Sequence, residues 1–130
     1  MIDPLHPFAS WFLWIGGAFF LGAYALPLLI VPLHWARWFR WSIPIDDHLS
    51  IYLGRCLGGV AVALVWVCFR AAPQPPAHPL AWELLIIASA LLTGVHLWGA
   101  LRRIQPWTET VEIAMYAGLT AMAAWLYAGF

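Results

Sequence analysis

A chain of 130 residues that is 64% hydrophobic and only 9% charged, with a mean hydropathy of +0.81, lies far outside the roughly 45 to 50% apolar and 25% charged residues of soluble domains. Its basic and acidic residues balance at six each, which removes the basic footprint that a nucleic-acid partner requires and leaves the lipid bilayer as the expected one. The length allows a single transmembrane domain, residues 1–130, with no stretch left over for a separate soluble one.

The N-terminal MIDPLHPF lacks the positive region of a signal peptide, so the first apolar stretch, about residues 8–33, is expected to be retained as a membrane span. Pro27 and Pro32 fall in its last third, where they should kink it or mark its end. Next comes VPLHWARWFRW, residues 31–41. Trp35, Trp38 and Phe39 share one face at helical spacing while Arg37 and Arg40 point the other way, the pattern of a short helix lying in the membrane interface. Trp35, Arg37, Trp38, Arg40 and Trp41 therefore form an expected interfacial anchor, with a ligand-stacking site as the alternative.

A second span is expected at about residues 49–69. It contains Gly54 and Gly58, a GxxxG pair suited to close helix packing. Cys56 and Cys68 stand twelve positions apart on it, too far to bridge at about 1.5 Å rise per residue, and read as small buried hydrophobes. The proline-rich RAAPQPPAHP leads to a third span at about residues 80–101, and the short RRIQPW to a fourth at about residues 108–127. The expected fold is an all-α integral membrane four-helix bundle with a short interfacial helix after the first span.

Four spans put Arg37, Arg40, Arg102 and Arg103 on one side, with Arg55 just inside it, and only Arg70 on the other. The positive-inside bias makes the arginine-rich side cytoplasmic and leaves both termini outside, as expected of a protein of the bacterial inner membrane. The ten tryptophans divide evenly between the two expected headgroup levels.

Ionisable groups inside spans are costly and mark candidate sites. Arg55, His96 and Glu112 fall at similar expected depth near the cytoplasmic ends of spans two, three and four, and Glu109, Glu112 and Tyr116 share one helix face at i, i+3 and i+7. Arg55, His96, Glu112 and Tyr116 thus make a candidate polar pocket. A carboxylate, an imidazole and a guanidinium in a dry site could run proton transfer. The favoured reading is plainer, an interhelical ion pair of Arg55 with Glu112 hydrogen-bonded to His96. No HExxH, CxxC or carboxylate–histidine repeat is present, so no metal site is expected. No cofactor is expected either; the alternatives are a quinone, or a haem held by a pair such as His34 with His96.

From Tyr52 onward, YLGRCLGG, LLTGVHLWGAL and QPWTETVEIAMYAGL resemble the small bacterial four-span DoxX-like membrane proteins, over about residues 52–130. The resemblance implies a four-helix bundle and, by analogy with distant relatives, a polar pocket for a quinone, sterol or other lipid, with Arg55, His96 and Glu112 around it. Without a soluble domain or a complete catalytic constellation, the leading expectation is a non-catalytic accessory subunit packed against other membrane subunits, such as those of a complex handling electrons or quinones. The alternative is a DoxX-like enzyme or lipid- or quinone-binding protein that uses the pocket.

Overall fold

The computed structural model describes all residues, Met1–Phe130, and every element in it is helical. Helix α1 (Pro7–Phe20) continues through a π-helical turn (Leu21–Ala25) into α2 (Leu26–Ile30), followed by α3 (Pro32–Trp38), α4 (His48–Ala71), α5 (Pro79–Arg102) and α6 (Trp107–Tyr127). The chain forms two compact units, Met1–Pro75 and Pro76–Phe130. Pro7–Ile30, His48–Ala71 and Pro79–Arg102, of 24 residues each, are long and apolar enough to cross a membrane. At about 1.5 Å per residue each exceeds the roughly 30 Å hydrocarbon core. Helix α6, with 21 residues, carries Glu109 and Glu112 in its first two turns and is less apolar than these three.

In the first unit, proline chemistry decides where the opening span ends. Pro27 has no N–H to give to the carbonyl of Ala23 four residues back. The Trp35 indole N–H donates to that carbonyl instead, at 2.9 Å. Just before it the helix widens, and the Leu26 N–H reaches five residues back to Leu21, the local adjustment by which helices absorb a proline. Val31, which precedes Pro32, leaves the helical region at φ −132° and ψ 56°, as residues before proline do. The first span therefore stops at Ile30, and Pro32 opens α3 as a separate helix, where the sequence reading runs the span to residue 33.

Helix α3 lies back on the π-helical turn of the first span through aromatic contacts. Tyr24 meets Phe20, Trp35 and Phe39 at ring-centroid distances of 5.1, 5.8 and 5.5 Å, and Trp35 stacks on Phe39 at 4.5 Å. Trp35→Phe keeps an aromatic in this cluster but removes the donor from the Ala23 carbonyl. It is expected to lower stability by about 1 to 3 kcal/mol, the cost of an unsatisfied polar group, as measured by unfolding of the protein in mixed micelles. An unchanged unfolding midpoint would show that the indole N–H contributes nothing.

Helix α4 packs against the same span. Gly54 meets Pro32, Gly58 meets the backbone of Leu28 and Leu29, and Gly17 lies under the Phe69 ring, which stacks on Trp14 at 4.9 Å. At the far end the buried Ser10 hydroxyl donates to the Ala72 carbonyl at 2.5 Å and accepts from the Asp3 N–H at 2.9 Å. The Leu5 N–H, with help from His6, holds the Asp3 carboxyl below its ordinary pKa.

The second unit is an antiparallel pair, α5 and α6. Helix α5 ends with Arg103 in the left-handed conformation (φ 54°), the Arg103 N–H bonding the Ala100 carbonyl and the Ile104 N–H the Gly99 carbonyl, which is a Schellman ending. The missing side chain of Gly99 makes room for that of Gln105, whose amide donates to the Thr110 hydroxyl at 3.2 Å. This short turn sets the register of the pair. Along it Ser89 meets Thr120 at 2.8 Å, Tyr127 meets Glu83 at 3.3 Å, and the fully buried Trp82 packs edge-on against Phe130.

Candidate functional site

The turn after Arg103 folds α6 back so that the first two turns of α6 face the last two of α5. His96 then stands opposite Glu109 and Glu112. Its Nε2 lies 3.0 Å from Glu109 Oε2 and 3.5 Å from Glu112 Oε2. The three side chains are only 10%, 8% and 8% exposed, and the Tyr116 ring closes the site with its centroid 5.0 Å from that of the imidazole. Glu109 sits in the first turn of α6, where the helix dipole favours a negative charge.

The other imidazole nitrogen determines what the cluster can do. His96 Nδ1 lies 2.8 Å from the Leu92 carbonyl. A carbonyl only accepts, so Nδ1 carries the hydrogen. In the neutral ring Nε2 then presents a lone pair to two carboxylates. Three acceptors within these distances repel one another in a poorly solvated place unless a cation, a proton or a metal ion, lies among them. An arrangement of this kind recognises a cation or a hydrogen-bond donor.

Of the residues expected in the pocket, His96, Glu112 and Tyr116 come together in the second unit. Arg55 belongs to the first unit, at an exposed position of α4. Glu109 is the nearest carboxylate to His96 and is absent from the expected pocket, although its i, i+3 spacing with Glu112 puts both on one face. What brings it in is the turn geometry after Arg103, which no motif announces.

The expected interfacial anchor divides into different roles. Arg37, Trp38 and Trp41 are exposed, as an anchor requires. Trp35 is half-buried and spends its indole N–H on Ala23. Arg40 is exposed, but its backbone is left-handed (φ 64°) and ends α3 in the same hydrogen-bond pattern that ends α5. Seven tryptophans are exposed on the apolar helices and their ends, whereas Trp82 is wholly buried and belongs to the packing of the second unit. Comparison with protein-family models, with curated proteins and with solved structures finds no match to this chain.

Proposed function

We propose that the chain is a small-molecule-binding protein of the bacterial inner membrane, in which His96, Glu109, Glu112 and Tyr116 receive the polar head of a membrane-dissolved molecule. The observation that carries this reading is the Leu92 hydrogen bond, which turns His96 Nε2 onto two buried carboxylates. An ion pair serving only to hold two helices together needs one acid, and a second adds a desolvation cost that packing does not repay. The chemistry of the site suits a head group with hydroxyl or amine donors, as in a quinol or an aminolipid.

In this proposal α6 crosses the membrane as a fourth span and α3 lies in the interface. Both termini face outward and the site lies near the cytoplasmic surface, in keeping with the arginine asymmetry. A periplasm-dependent reporter fused at Phe130 is expected to be active; activity only from a cytoplasm-dependent reporter would reverse the orientation. For the ligand, protein extracted in native lipid discs is expected to carry a stoichiometric quinone or lipid by mass analysis. Glu109→Gln and His96→Ala should lose it. Retention of the same lipids by both variants would end the proposal.

A second reading, the accessory subunit, draws on five glycines. Gly16, Gly22, Gly59, Gly94 and Gly118 have open space where a side chain would stand, so they are available for close approach by helices of another protein. Migration of the extracted chain in a larger assembly, abolished by Gly→Leu substitutions at these positions, would favour it.

A further inference from the structure

We infer that His96, Glu109 and Glu112 are the ligands of a divalent transition-metal ion. This rests on the reading of the cluster as a functional site and names the cation that completes it. Nε2 stands 3.0 and 3.5 Å from the two carboxylate oxygens, and all three donor atoms lie within 4.8 Å of one another. Two ligands bound to one ion at the roughly 2.0 to 2.2 Å that zinc makes with imidazole and carboxylate stand at most about 4.4 Å apart, and both separations from Nε2 fall within that limit.

Two further features select a metal over a simple ion pair. The Nδ1–H to Leu92 carbonyl bond is the outer-shell contact that metal-bound histidines make, fixing the tautomer with the Nε2 lone pair aimed inward. The charges agree as well: a neutral imidazole with two carboxylates carries −2, which one divalent cation cancels and one proton halves. Imidazole in the donor set disfavours calcium and magnesium, which prefer six or more oxygen ligands, and suits zinc, iron(II) or manganese(II). Three protein ligands leave a coordination position for an oxygen of the bound molecule.

The test uses full-length protein in lipid discs, purified without a polyhistidine tag, stripped with chelator and titrated separately with Zn²⁺, Mn²⁺ and Fe²⁺. Elemental analysis is expected to find one ion per chain for at least one of these metals. Glu109→Gln and Glu112→Gln, which keep side-chain shape, and His96→Ala should each weaken binding by about 100-fold or more, with helical circular dichroism confirming the fold. Manganese spectra should show a histidine nitrogen ligand that disappears in His96→Ala. Folded wild-type protein that binds none of the three ions at micromolar concentration overturns the inference, as does equal binding by wild type and variants. If the metal is absent but a quinone or lipid is still lost on Glu109→Gln, the metal falls and the small-molecule site stands; if neither binds, both fall.

Discussion

Gly58→Ala is expected to destabilise the first unit by about 3 kcal/mol, the upper part of the usual range for forcing extra atoms into a well-packed core, and Gly58→Leu to prevent its packing altogether. A Cβ at this position would strike the Leu29 nitrogen and lie 2.7 Å from Leu29 Cα and 2.9 Å from the Leu28 carbonyl carbon. All three are backbone atoms, so no rotamer change relieves the collision; α2 and α4 would have to separate. Separation would also disturb Gly54 on Pro32, which lies one turn away on the same face. Gly59→Ala is the control, since nothing lies within 4 Å of its missing side chain. Both can be measured as the loss of helical signal on unfolding in mixed micelles. A Gly58→Ala protein as stable as the Gly59→Ala protein would show that the helices do not meet at this glycine.

The second large effect is expected at His96. His96→Ala removes the group that faces both Glu109 and Glu112 and leaves two buried carboxylates without it. Together with the proton or metal ion that the three groups share, the cluster is a buried charged set; breaking one side of such a set costs about 3 to 5 kcal/mol, and the loss should fall on the α5–α6 pair. Adding Glu109→Gln to His96→Ala removes one of the opposed charges and should recover part of that loss. A coupling of about 0.5 to 3 kcal/mol between the two substitutions is the signature of direct contact. Strict additivity would mean that His96 and Glu109 do not act on each other.

Much of the helical layout follows from local chemistry. Twenty-residue apolar runs demand membrane-length helices because a lipid-exposed backbone must satisfy its own hydrogen bonds, and the ends of α4, α5 and α6 fall within about two residues of where the apolar runs end. Pro27 and Pro32 announce a disturbance in the first span, since a proline always lacks its N–H. Their spacing does not reveal that Trp35, twelve residues from Ala23, supplies the missing donor. That depends on α3 folding back, which follows from the contacts among Tyr24, Trp35 and Phe39 rather than from any one of them.

The candidate site divides in the same way. Helical period alone puts Glu109, Glu112 and Tyr116 on one face of α6, and burial cost alone marks His96 and Glu112 as residues with a purpose. Which groups meet is a question of register between two helices. It is settled by a left-handed Arg103, the space beside Gly99 and the Gln105 side chain that fills it, none of which carries a recognisable pattern. For that reason the sequence shows Glu109 only as sharing a face with Glu112 and Tyr116, whereas the fold makes it the carboxylate nearest to His96. The Leu92 carbonyl, which decides how the imidazole faces them, is a backbone atom on which residue identity has no bearing.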